Sequence, residues 1–138
     1  MHRLGPDDLG DLLDQPLVAV LATYRKDGGV LLSPVWHQWR DGGFDVVVSA
    51  NDIKLKHLRR DPRASVLVYG NDPPYAGLEA RGEARLDPDG AAAAILSMAN
   101  RYLGPERGPA YAATVTNAVL VRLEPTALRG WDFADEWS

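Results

Sequence analysis

Five lysines or arginines fall between Lys54 and Arg63 in "SANDIKLKHLRRDPR" (residues 49–63), a third of the basic residues of an acidic chain with 15 basic and 19 acidic side chains. The chemistry that suits such a cluster at the end of a strand is the grip of an anion. Asn51 is placed to cap a short helix, so the backbone N–H groups of residues 51 to 54 and the Lys54 ammonium converge on one spot. Ser49 and Asn51 add donors from the strand end, and Asp52 puts a competing carboxylate at the same terminus. Lys56, Arg59 and Arg60 share one helical face. Arg59 and Arg60 sit in the last turn, where cations complement the helix dipole in any protein. Lys54 and Lys56 are therefore the candidates for ligand contact, and Arg59, Arg60 and Arg63 fit a solvated face.

A second stretch, "SPVWHQW" (33–39), carries a proline inside a strand pattern. Pro34 cannot donate to a ladder, which predicts an edge or a bulge. Such an interruption exposes backbone next to Ser33, Val35 and Trp36 on which a flat heterocycle can lie; the alternative is that Trp36 is a core or dimer-contact aromatic. Trp39 reads as such an aromatic.

Other chemistries find little support. Ser33 lacks a nucleophile elbow, and neither a phosphate loop nor a dinucleotide fingerprint occurs. There is no cysteine, and His2, His37 and His57 lack metal-ligand spacing, so no metal site is expected. His37 is expected on a strand surface and His57 on a helix surface. Glu79 and Glu83 alternate with Arg81 and Arg85, which suits a cross-strand charge ladder better than a carboxylate pair for hydrolysis. An enzyme with this equipment needs a bound cofactor to carry the chemistry.

The elements that position these residues follow from periodicity. "GPDDLGDLLDQ" predicts a short amphipathic helix with Leu9, Leu12 and Leu13 on one face. "LVAVLATYR", "VLLSPVWHQW" and "FDVVVSA" predict three strands separated by the turn clusters "KDGG" and "RDGG". "RASVLVYG" is a fourth, and "GLEARGEARL" a fifth with clean alternation, Gly82 marking a bend or close backbone approach. "PDGAAAAILSMANRYLG" predicts a helix, and "AVLVRLEP" and "ALRGWDF" two last strands. Six or seven antiparallel strands with short inserted helices make a mainly β fold, a small barrel with peripheral helices.

At 138 residues, 46% hydrophobic and 25% charged, the chain is expected to be a single soluble domain over 1–138. Its net charge of -4 argues against nucleic acid as the partner. The longest apolar run, "LVAVLA", is too short for a membrane span, and the first residues lack the apolar core of a signal peptide. A cytoplasmic location is the expectation.

Taken together, "LATYRKDGGVLLSPVWHQW", "VVVSANDIKLKHLRRDPRASVLV", "PPYAGLEARGEARL", "RYLG" and "RGWDF" resemble the split β-barrel flavin and deazaflavin proteins, the pyridoxamine-phosphate-oxidase-like family. The Lys-rich helix running into "LRRDPR" is similar to the actinobacterial branch that uses coenzyme F420. The resemblance implies a six- to seven-stranded antiparallel split barrel and a homodimer with cofactor sites at the interface. It implies a phosphate grip by Lys54 and Lys56, with Ser49 and Asn51 nearby. The ring would lie along Ser33 to Trp36, and Trp131 of the other subunit would help close the pocket. F420 carries a phosphodiester and a polyglutamate tail, which leaves room for a role of Arg59 or Arg60. The implied activity is hydride transfer between F420 and a small conjugated acceptor. An FMN-binding oxidoreductase, a non-catalytic F420 carrier and a barrel with a decayed ligand site remain as alternatives.

Overall fold

In the computed structural model, which describes residues 4–134, the alternating stretches form seven strands. They are β1 (Ala19–Tyr24), β2 (Val30–Val35), β3 (Gln38–Arg40), β4 (Gly43–Ser49), β5 (Arg63–Tyr69), β6 (Ala76–Asp87) and β7 (Ala118–Asp132). Helix α1 (Ile53–Arg60) joins β4 to β5, and α2 (Ala91–Ala112) joins β6 to β7. All seven strands belong to one antiparallel sheet in the order β2-β1-β5-β6-β7-β4-β3. His2 lies outside the described residues.

β1 and β5 bury alternate side chains, whereas most of β4 and the first part of β7 are buried on both faces. Leu21, Val66, Ala80, Val46, Val121 and Leu123 pack in the interior with Phe44, and Leu55 and Leu58 of α1 join the same core. The opposite faces of β6 and β7 carry the expected charge ladder: Glu79 pairs with Arg129 and Arg81, and Arg85 with Glu124. Gly82 lies against the backbone of Glu124 and Pro125, the expected close approach. Among the described residues, no helix is long and apolar enough to cross a membrane.

Several elements differ from the sequence pattern. The amphipathic helix expected over residues 5–15 is a single 3-10 turn at Pro6–Asp8 followed by further turns. Gly10 takes φ +59, a left-handed conformation that interrupts an α-helix. Leu9, Leu12 and Leu13 are nevertheless buried, because the turns keep the expected apolar face inward. The stretch read as one strand over 30–39 is two, β2 and β3, at opposite edges of the sheet. The two strands expected at the end are one, β7, with an irregular register beside Pro125, where Gly82 pairs with Pro125 and Arg81 with Ala127. Thr126 is the extra residue, a bulge that accommodates a proline unable to donate. The helix expected over 88–104 continues to Ala112, because Gly104 at φ +93 turns the chain and Pro105 opens a second arm.

One constraint shapes the whole sheet. Only Trp36 and His37 separate the end of β2 from the start of β3. Three Cα steps span at most ~11 Å, so the two outer edges of the sheet must approach one another there. The sheet curls, and Pro34 sits on an edge strand that pairs only with β1. β3 in turn pairs only with Gly43, Phe44 and Asp45 of β4. Val46 to Ser49 therefore have a strand neighbour only in β7, which leaves the barrel split.

A buried ionic network fixes the short β3 in place. Asp45 and Arg122 are almost fully buried and ion-paired at 3.2 Å. Gln38 and Arg40 both donate to Asp45 at 2.8 Å, and Arg122 donates to the carbonyl oxygens of Arg40 and Asp41. Burial pushes the Asp45 carboxyl up, but hydrogen bonds from Arg40, Gln38 and Arg122 outweigh it and hold it below the usual range. Removing the carboxylate leaves the buried guanidinium, among the described residues, with only the exposed Glu124 carboxylate at 3.7 Å. Asp45→Ala is expected to lower stability by about 3–5 kcal/mol in urea unfolding, whereas a loss under about 1 kcal/mol would mean the network is not a structural clamp.

Candidate functional site

The gap between β2 and the outer half of β4 opens into a cavity of about 360 Å³. Pro34 and Val35 of β2 and Trp36 form one side, and Val47, Val48 and Ser49 of β4 the other. Ile95 and Met98 of α2 close the back, and Tyr111, Val115 and Thr116 stand beside them. At the start of α1, Asp52 and Lys54 supply the charged side chains of the lining. The site is thus a mostly apolar slot with one polar end, a form that suits a flat organic ring bearing an anionic substituent.

Trp36 is held from both sides. Its ring stacks on Tyr102 with centroids 4.7 Å apart and planes 5° apart, and Tyr111 leans on it at 5.3 Å. The turn at Gly104 is what brings Tyr111 back onto the same ring as Tyr102. The Tyr102 hydroxyl accepts from the His37 N–H at 3.1 Å and donates to the Leu17 carbonyl at 2.6 Å. Arg101 donates to the His37 carbonyl. α2 therefore clamps the link that closes the sheet and fixes the aromatic wall of the cavity.

Of the residues expected at the site, Pro34, Val35, Trp36, Ser49 and Lys54 line this cavity. Ser33 is buried one position away on β2 and is not part of the lining. Asn51 is exposed and is not the cap of α1; Asp52 is. The Asp52 side chain accepts the Lys54 N–H at 2.9 Å, a role Asn51 sits one residue too early to play. Its second oxygen pairs with Lys54 Nζ at 2.8 Å. Burial pushes the Asp52 carboxyl up, but the Lys54 ammonium and backbone N–H hold it below its ordinary range.

Lys56 faces the other side of α1, a groove of about 490 Å³ shared with Arg25, Lys26, His57 and Arg60. Trp131 lies at the far end of β7 from Ala118, paired with Gly77 and covered by the Arg129 guanidinium. Arg60 donates to the Tyr24 carbonyl, and Arg63 chelates Asp61 while stacking over Tyr24. Sequence reasoning missed Val47, Ile95, Met98, Tyr111 and Thr116 as lining. Ile95 and Met98 carried a signal, helical spacing, but it marks only a buried face and not what that face meets.

Both described histidines are buried, against expectation. His57 packs against β1, and its Nδ1 lies 3.0 Å from the Thr23 hydroxyl. His37 is fully buried against Phe44 and Tyr102, and neither ring nitrogen has a partner among the described residues. His37 has the parity of Ser33 and Val35, the inward side of β2, and the two-residue link keeps it facing the interior. Among the described residues no cluster of His, Asp or Glu could hold a metal ion.

A curled antiparallel sheet split between its edge strands, with a ligand-sized slot in the gap, defines the split β-barrel class. The comparisons agree. The family model described as pyridoxamine 5'-phosphate oxidase matches residues 6–132, and the chain belongs to that family. It is similar to the conserved hypothetical protein Rv2991 of Mycobacterium tuberculosis at 27% identity and TM-score 0.84, over 98% of this chain and 89% of that one. A structure named F420 reductase is 30% identical with TM-score 0.74, over 90% of this chain and 98% of that one. The heme storage protein HutZ of Vibrio cholerae shares the fold at 18% identity and TM-score 0.68, over 92% and 94% of the two chains.

Burial, and secondarily the Arg101 guanidinium, push the pKa of His37 down to about 4 from 6.5. The unfolded chain then binds more protons than the folded one between those values, so stability falls as pH drops from 6.5 to 4. The loss is on the order of 3 kcal/mol. His37→Gln is expected to remove that part of the pH dependence in urea titrations at pH 7, 5.5 and 4; an unchanged slope would show that His37 does not titrate across this range.

Proposed function

We propose that the chain is an F420-dependent oxidoreductase that transfers a hydride between the deazaflavin and a small conjugated organic acceptor. The observation that carries this reading is the slot between β2 and β4, with Trp36 on its wall and Lys54 at its end. Likeness to the structure named F420 reductase supports it. Reduced F420, when bound, supplies the hydride from its C5 position. The chain's own residues have simpler tasks. Lys54 and the Ser49 hydroxyl meet a phosphate, and the Pro34–Trp36 segment orients a flat ring. Val47, Ile95 and Met98 keep water from the reacting face.

The groove beyond α1 favours F420 over FMN within this reading. Arg25, Lys26, Lys56 and Arg60 face Asp27 as the one acid of its lining, a charge balance that fits a chain of carboxylates. FMN has no such tail. Carriage of F420 without turnover uses the same grip, and assay against a panel of quinone-like and enone acceptors separates the two.

We also infer a homodimer that completes the site. Val30, Leu32 and Pro34 share the outward face of β2, and Leu32 is 65% exposed. Pro34 belongs both to this face and to the cavity lining, so a second copy seated on β2 would reach the cavity mouth. The partner's Trp131 is the residue expected there.

Fluorescence titration should show salt-sensitive F420 binding, weaker FMN binding and a loss of about 1–3 kcal/mol for Lys54→Ala. Absence of binding by both cofactors would withdraw the reading. Leu32→Glu is expected to give a monomer by light scattering and to weaken F420 binding together; a monomeric wild type with full affinity would refute the shared site.

A further inference from the structure

The cavity lining contains one cation and one anion, and they are bonded to each other. Lys54 Nζ and Asp52 Oδ2 are 2.8 Å apart, with 16% and 26% of their side chains exposed. The other Asp52 oxygen is engaged by the Lys54 N–H at 2.9 Å, so the carboxylate is fixed in place by the helix it caps. A ligand phosphate entering the slot therefore meets a nearly neutral pair and not a free ammonium.

The consequence depends on the ligand's charge. Removing an ion from water costs free energy that rises with the square of its charge, whereas attraction to a fixed cation rises only linearly. A free Lys54 would offset much of the cost for a phosphomonoester, which carries about -1.5 to -2 at neutral pH. A neutralised Lys54 offsets little, and the more highly charged group loses more. A phosphodiester, with a single charge, tolerates the neutral pair best.

Resting on the reading of the slot as a phosphorylated-cofactor site, we propose that Asp52 is its specificity-determining residue. By neutralising Lys54 it selects a ligand whose phosphate is a diester over one that ends in a monoester. The ionised state of Asp52 agrees with this role, since hydrogen bonds from Lys54 keep its carboxyl below the ordinary range despite burial. The same selection accounts for why an acid occupies a position from which a phosphate grip would ordinarily exclude it.

The test compares FMN, its monomethyl phosphodiester, riboflavin and F420 on the purified protein at constant ionic strength. Dissociation constants are measured for the wild type and Asp52→Asn. Asparagine caps a helix as well as aspartate, so this variant removes the charge and keeps the cap. Thermal unfolding checks that it folds, and Asp52→Ser is the second variant. The wild type should bind the diester more tightly than FMN. Because the released attraction is linear in ligand charge, Asp52→Asn should tighten the diester about 5-fold and FMN about 20-fold, with riboflavin unchanged. Equal changes for monoester and diester, or no change in either, would overturn the selection while leaving the cofactor site standing. Failure of all four ligands to bind the wild type and both variants would overturn the cofactor reading, and the selection with it.

Discussion

The structure depends on a link of two residues. Trp36 and His37 join β2 and β3, which lie at opposite edges of a seven-stranded sheet. So short a connection cannot cross a flat sheet of that width, where neighbouring strands are ~4.8 Å apart. The sheet has to curl until its edges nearly meet. They do not zip together, because Pro34 has no N–H to donate and β3 is only three residues long. The slot is what remains open between an edge that is brought close and an edge that is not paired.

The link is itself held by α2. Tyr102 stacks on Trp36 and bridges the His37 N–H to the Leu17 carbonyl, while Arg101 donates to the carbonyl of His37. The backbone N–H and carbonyl of His37 in this short connection are thereby satisfied by side chains from one turn of helix. The same turn fixes the ring that walls the cavity, so barrel closure and cavity shape are one packing problem. Gly104 extends it, since the turn at this residue returns Tyr111 to the Trp36 ring.

Charge is organised at three depths. On the outer face of β6 and β7, Glu79, Arg81, Arg85 and Arg129 form exposed pairs that contribute little each. Inside, Asp45 and Arg122 form a buried pair, the carboxylate hydrogen-bonded also by Gln38 and Arg40, which ties β3 to β4 and β7. Between these extremes lies the half-buried pair of Asp52 and Lys54, facing the cavity. Only the intermediate position leaves a charge both desolvated enough to matter and accessible to a ligand.

Much of the fold was legible in the residues. Period-two alternation located most strands, "KDGG" and "RDGG" located the hairpin turns, and Pro34 marked an edge. These signals are local: each follows from what a residue's own backbone or its near neighbours permit. Local signals also gave Ser49, Lys54 and the Pro34–Trp36 segment as lining. They failed where the outcome depended on distant contacts. "VLLSPVWHQW" has the pattern of one strand, and only the meeting of two sheet edges makes it two. His37 has the inward parity of Ser33 and Val35, but only closure of the sheet buries its ring completely. Lys54 and Lys56 are two apart, so a helix of 3.6 residues per turn already separates their faces; only the fold decides that one meets the slot and the other the groove beyond. The sequence by itself determined which segments pair, turn and carry charge, because those properties are set within a few residues. The tertiary structure decided where the sheet splits and which charges meet there, because both depend on how far the whole sheet must curl to accommodate two residues.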